Sequence, residues 1–163
     1  MIVHIYGLPV DVAPILLLAK KYNLLVIEDA AEMHGQMYRN LKCGSIGDVS
    51  VFSFYPNKHI TTGEGGMIVT DNNELANSLK SLRNLCFKPE KRFVHDELGW
   101  NFRMTNIQAG LGLAQLERLD EFVLIKRAMG QLYNSLLSGI ADIQLPLQGT
   151  EYANNIYWVY GIV

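Results

Sequence analysis

The sequence predicts an α/β fold in which a mostly parallel sheet is flanked by helices. Three observations carry that expectation. A β-branched and aromatic run at the amino end is followed by a helical stretch and then by a second apolar run, the order of a βαβ unit. A third apolar run ends in hydroxyl groups and glycines, and a fourth run follows that turn directly. A tract near the middle carries a helix-start signature ahead of a long apolar repeat.

Each element follows in order. Ile2-Val3-His4-Ile5-Tyr6 reads as a short strand that stops at Gly7 and Pro9. Asp11 is placed to cap a helix over residues 12–22, with Pro14 tolerated in its first turn. Leu24-Leu25-Val26-Ile27 is a continuous apolar run, the pattern of a strand buried on both faces. A parallel pair joined by a right-handed crossover then puts Asp29 just beyond the carboxyl end of the second strand, where open α/β sheets bind ligands. Residues 38–47 read as a loop, residues 49–54 as a strand, Met67-Ile68-Val69-Thr70 as another, and residues 73–83 as a helix. The stretch 88–100 mixes charge, proline and aromatics without a period and reads as irregular.

Thr105 with Gln108 forms a capping box, and apolar residues recur at Ile107, Leu111, Ala114, Leu119 and Phe122, so one long helix or two in series run to about Leu137. Gly110 and Gly112 inside it point to close packing. Ile156-Tyr157-Trp158-Val159-Tyr160-Gly161-Ile162-Val163 reads as a strand in which the chain stops without a turn or cap. Met1 leads as abruptly into the first strand, and both ends look cut.

Composition narrows the function classes. With 163 residues the chain can bury one sizeable core. The 14 Lys plus Arg against 16 Asp plus Glu leave no electrostatic footprint for nucleic acid or an anionic membrane. Cys43 and Cys86 lack metal-ligand spacing and define no disulfide framework, which favours a reducing, cytoplasmic setting. Neither a signal peptide nor an 18-residue apolar run is present.

Lys58 is the chemically suggestive residue. It lies between the run Val51-Phe52-Ser53-Phe54-Tyr55-Pro56-Asn57 and the turn Thr62-Gly63-Glu64-Gly65-Gly66. A lysine desolvated at the mouth of an α/β sheet can lose its proton and form a Schiff base with an aldehyde cofactor, although most single lysines are simply solvated. Asp29 can act beside a pyridine nitrogen or cap a turn, and Ser53 can bond a phosphate or satisfy backbone groups. His34 and His59 are candidate acid–base groups, with a hydrogen-bonded structural role the more common fate. Asn101 and Arg103 precede a helix start, a place that favours anions.

Taken together, the segments Val26-Ile27-Glu28-Asp29-Ala30-Ala31-Glu32-Met33-His34-Gly35, Phe52 to Lys58 with Thr62 to Gly66, and Gly99-Trp100-Asn101-Phe102-Arg103-Met104 resemble the DegT/DnrJ/EryC1/StrS family of pyridoxal phosphate-dependent nucleotide-sugar aminotransferases. The resemblance begins at His4-Ile5-Tyr6-Gly7-Leu8-Pro9 and covers nearly the whole chain. It implies part of the large domain of a type I aminotransferase fold, over residues 1–122, with a connecting helix and the truncated start of a small domain over 123–163. Lys58 would be the Schiff-base lysine, Asp29 the partner of the pyridine nitrogen and Ser53 a phosphate ligand. Ala31 would pack on the ring and Glu32 would approach the pyridine hydroxyl side. Asn101 would reach the phosphate bound by a neighbouring subunit, which implies a homodimer with shared active sites.

The reaction implied is transfer of an amino group, usually from glutamate, to a keto sugar carried on a nucleotide. Asn57-Lys58 with Ile60 to Met67, and Tyr157-Trp158-Val159-Tyr160-Gly161, are most similar to the perosamine synthase branch, which aminates GDP-4-keto-6-deoxymannose. A sister group of sugar 3-dehydratases carries histidine at the lysine position, so Lys58 argues against that chemistry. An upstream cofactor-cup segment and a longer carboxyl-terminal domain, both expected from the family, are not found in the chain. It therefore reads as an internal fragment, inactive alone, and the competing expectation is a non-catalytic remnant that serves as a binding or dimerisation module.

Overall fold

The computed structural model describes every residue except Pro89. Strands β1 (Ile2–Val3), β2 (Ile27–Asp29), β5 (Val49–Ser53) and β6 (Gly66–Val69) form one sheet in the order β1-β2-β5-β6. The first two pairings are parallel and the last is antiparallel, so the sheet is α/β and mostly parallel, as expected. Helix α1 (Val12–Tyr22) crosses between β1 and β2. Its Val12 and Ala19 join Ile2, Val26, Ala30, Met33, Tyr38 and Cys43 in the core.

Several local expectations are corrected. Asp11 occupies the cap position of α1 without bonding the helix. The Tyr38 hydroxyl accepts from the Ala13 N–H at 3.2 Å and donates to Asp11 Oδ1 at 2.5 Å, so a tyrosine from another segment does the capping. Leu24 and Leu25 are exposed rather than strand core, since the chain turns through Asn23 in the left-handed region after α1. Val26 is pinned by Asp48, whose carboxylate accepts the Val26 N–H at 2.7 Å. The strand therefore starts at Ile27, and Asp29 is its last residue rather than the residue beyond it.

The expected loop over 38–47 contains a small antiparallel hairpin, β3 (Met37–Tyr38) with β4 (Leu41–Lys42). After β6, helix α2 (Asn73–Leu82) is capped by Asn72, whose side chain accepts the Leu75 N–H at 3.0 Å. No helix or strand forms over 88–100 among the described residues. The helical tract that follows divides into α3 (Asn106–Leu116), with both halves of the Thr105–Gln108 capping box formed, and α4 (Leu119–Leu137). The 122/123 boundary expected from the sequence falls inside α4.

Helix α3 docks the opposite way from its apolar repeat. Ile107 and Leu111 are exposed, while Gln108, Gly112 and Gln115 face the turn that follows Lys58. A Cβ on Gly112 would lie 2.9 Å from the Thr62 methyl, so that glycine does mark close packing; the space around Gly110 is open. The carboxyl-terminal strand does not form either. Tyr157 takes φ 49°, its N–H bonded to Asn155 Oδ1 at 2.6 Å, and this tight turn breaks the extended run.

Candidate active site at the strand ends

The register of the parallel strands builds the site. Val3 pairs with Asp29 and Asp29 with Val51, so β1, β2 and β5 deliver their following residues to one edge of the sheet. Side chains alternate along a strand, which puts Asp29, Val51 and Ser53 on one face and Glu28 and Ser50 on the other. The next residues, Ala31 and Glu32 after β2 and the Tyr55-to-Lys58 turn after β5, complete the cluster.

Asp29 Oδ1 accepts the Ala31 N–H at 3.0 Å, a short turn that fixes both residues. Glu32 Oε2 accepts the Tyr6 N–H at 2.6 Å, which ties the cluster to the loop after β1. Ser53 Oγ accepts the Tyr55 N–H at 3.3 Å at the start of the turn, and the Lys58 N–H closes it on the Tyr55 carbonyl at 3.0 Å. Lys58 is half-buried. Burial pushes its ammonium below the usual lysine range, opposed by the charges of Glu32 and then Asp29. Both carboxylates thus lie near enough for their charge to act on the lysine.

The remaining expected residues are placed apart or committed elsewhere. Asn101 is exposed and pairs through its backbone with Asn84, near the end of α2. Arg103 donates to Asn84 Oδ1 at 2.8 Å. No hydrogen bond links either residue to Asp29, Ser53 or Lys58 among the described residues. His34 and His59 are buried, their ring centroids 6.5 Å apart. Burial, reinforced for each by neighbouring positive charge, lowers both imidazoles to about 4, so they are neutral at neutral pH. His59 Nε2 bonds the Ile156 carbonyl at 3.2 Å, whereas neither ring nitrogen of His34 meets a hydrogen-bond partner among the described residues.

Two contributors escape motif reading. Glu28, fully buried, accepts from His4 Nε2 and the Gly44 N–H on one oxygen and from the Ile46 N–H, Gly47 N–H and Ser50 Oγ on the other. Burial alone would raise its carboxyl; the donors outweigh that and bring it down to about 2. A carboxylate inside an apolar strand, one residue from Asp29 and so on the opposite face, was the available signal. Trp158 is the other, with its indole ring 3.8 Å from Lys58 Nζ. Nothing in local sequence joins two residues so far apart.

His4, Glu28 and Cys43 also bring potential metal-ligand atoms within 4.8 Å of one another. The donors are already committed. His4 Nδ1 accepts the Val10 N–H while Nε2 donates to Glu28, and burial pushes the Cys43 thiol up to about 12. A broad concavity of about 920 Å³ lies between β6, α2 and α3; Val51 lines it, but Asp29, Ala31, Glu32, Ser53 and Lys58 do not.

The profile of the DegT/DnrJ/EryC1/StrS aminotransferase family matches residues 1–163. GDP-perosamine synthase of Caulobacter vibrioides is 44% identical over 162 residues, 99% of this chain and 44% of the relative. GDP-perosamine synthase of Escherichia coli O157:H7 is 40% identical over 163 residues, again 44% of that protein. Among solved structures, S. venezuelae DesV in complex with a ketimine intermediate superposes with a TM-score of 0.88 at 34% identity, covering 98% of this chain and 43% of that one. The chain thus spans less than half the length of the relatives it matches. No described helix is long and apolar enough to cross a membrane.

Proposed function

Since the chain belongs to the DegT/DnrJ/EryC1/StrS aminotransferase family, we propose that it contributes the lysine-bearing half of a site for pyridoxal phosphate-dependent amino transfer. The amino group passes from an amino acid, glutamate by preference, to a nucleotide-linked 4-keto-6-deoxy sugar of the GDP-perosamine type. The observation that carries this reading is the meeting of Lys58 with Asp29 and Glu32 at the ends of adjacent parallel strands. The 40–44% identity to GDP-perosamine synthases supports the substrate class.

The donor set fits the cofactor. Pyridoxal 5'-phosphate supplies an aldehyde and a ring that withdraws electrons from the bond being broken. Lys58 Nζ would be the amine that holds the aldehyde, and its partial burial increases the neutral, nucleophilic fraction. The same Nζ, once free, would be the base that carries a proton between the donor's α-carbon and the cofactor. Asp29 would keep a ring nitrogen protonated, Ser53 would donate to the phosphate, Ala31 would pack on the ring and Glu32 would lie toward its hydroxyl side. Asn101, exposed and apart, serves the phosphate of a second subunit in a homodimer.

Absorbance tests the reading. Purified protein titrated with pyridoxal phosphate develops a band near the visible edge, and Lys58→Ala abolishes it. A band unchanged by that substitution would sink the assignment and favour a non-catalytic binding or dimerisation module.

A further inference from the structure

Trp158 reaches Lys58 from the far end of the chain, and the contact is built rather than incidental. The indole N–H donates to the Asn57 carbonyl at 3.1 Å, across 101 positions of sequence. The Trp158 carbonyl accepts from Lys126 Nζ of α4 at 3.2 Å. The Tyr6 ring packs beside the indole with centroids 6.1 Å apart. One residue earlier, the Tyr157 ring rests on Gly130, where any Cβ would lie 2.5 Å from it, and its hydroxyl accepts from Asn134 Nδ2 at 3.1 Å. The indole face is thereby held over Lys58 Nζ at 3.8 Å.

We propose that Trp158 is a positioning residue for Lys58, its indole face holding the ammonium and restraining it until the amine is needed. This deepens the assignment of Lys58 given above and rests on it for its catalytic meaning. A ring quadrupole attracts a cation and has no such hold on a neutral amine. The indole replaces some of the water that burial removes, so it favours the charged form without admitting solvent. Other charged or titratable groups around the lysine are Asp29 and Glu32 after β2, His34 beyond them, His59 on the lysine's own turn, Lys126 on α4 and Tyr6 after β1. Only the two carboxylates act with the indole.

Cofactor-free protein provides the test. The rate at which formaldehyde and cyanoborohydride modify Lys58 is followed by peptide mass across pH in wild type, Trp158→Leu and Trp158→Phe. Leucine keeps the site apolar but lacks the π-face, so modification near neutral pH rises about three- to tenfold and the apparent pKa falls. Phenylalanine retains a ring and stays near wild type. An unchanged or slower rate in Trp158→Leu, or an equal shift in both variants, overturns the proposal. A second measurement needs no change at Trp158: in a Trp100→Phe background its fluorescence titrates with Lys58, and Lys58→Met removes that titration. Persistence of the titration in Lys58→Met also overturns it. Failure here with an intact Lys58-dependent cofactor band leaves the aminotransferase reading standing; the reverse result rejects that reading and keeps the indole–lysine pairing.

Discussion

Gln115 satisfies both backbone polar groups of Thr61: its Oε1 accepts the Thr61 N–H at 3.0 Å, and its Nε2 donates to the Thr61 carbonyl at 2.7 Å. Gln108, two turns earlier, donates to the Glu64 carbonyl at 3.0 Å. The glycine-rich turn after Lys58 is therefore held by amide side chains of α3 as well as by the close contact of Gly112 with the Thr62 methyl. Gln115→Leu leaves two half-buried backbone groups without partners and costs about 1–3 kcal/mol. Urea unfolding reads that loss, and weaker retention of pyridoxal phosphate accompanies it if the turn positions Lys58. A stability matching wild type would show that water replaces the glutamine.

Gly130 leaves room for Tyr157. Gly130→Ala puts a methyl group into the ring face, where a separation of 2.5 Å forces a shift. The expected cost is about 1–3 kcal/mol, despite alanine's better helix propensity. Thermal unfolding separates these opposing effects, because an exposed helical glycine would instead gain stability on the same change.

Glu28 predicts an acid-sensitive fold with a defined window. Its carboxyl lies at about 2 in the folded protein against an ordinary value of 4.5. A depressed carboxylate contributes stability above the unfolded value and loses it as pH falls through the folded one. About 3 kcal/mol is therefore lost between pH 4.5 and 2. Glu28→Gln removes this dependence and is destabilised at neutral pH, since an amide N–H₂ now faces N–H donors. Unfolding free energies measured across that range check both statements.

His34 acts at higher pH. Its imidazole is lowered to about 4 from 6.5 by burial, so the unfolded chain binds a proton first on acidification. Stability is unaffected above pH 6.5 and falls by about 3 kcal/mol toward pH 4. His34→Phe removes its share of that limb and leaves the share of His59, whose imidazole is lowered to about 4 in the same way. A slope unchanged by the substitution would place the titrating group elsewhere.

Local signals told most about local structure. The capping box at Thr105, the parallel β1–β2 pair and the turn that presents Lys58 all follow from residues close in sequence. The facing of α3 was hidden because its apolar residues are the natural guess for the buried side, yet Gln108, Gly112 and Gln115 make the contact. Leu24 and Leu25 mimicked a buried strand because a run of four apolar residues has no period to distinguish a strand from a turn. The Trp158–Lys58 contact depends on where α4 and the Tyr157 turn place the chain, a long-range property that composition does not encode.

Adjacent acids on one strand divide the work. Glu28 sits among five donors from β1's end, the Gly44-to-Gly47 loop and β5, while Asp29 points to the lysine's side of the sheet. A slip of β2 by one position would exchange their faces, offering the shorter aspartate to the five donors and leaving glutamate beside Lys58. The buried carboxylate is thus a register lock: it penalises the neighbouring alignments of the strand and leaves the alignment that presents Asp29 to Lys58.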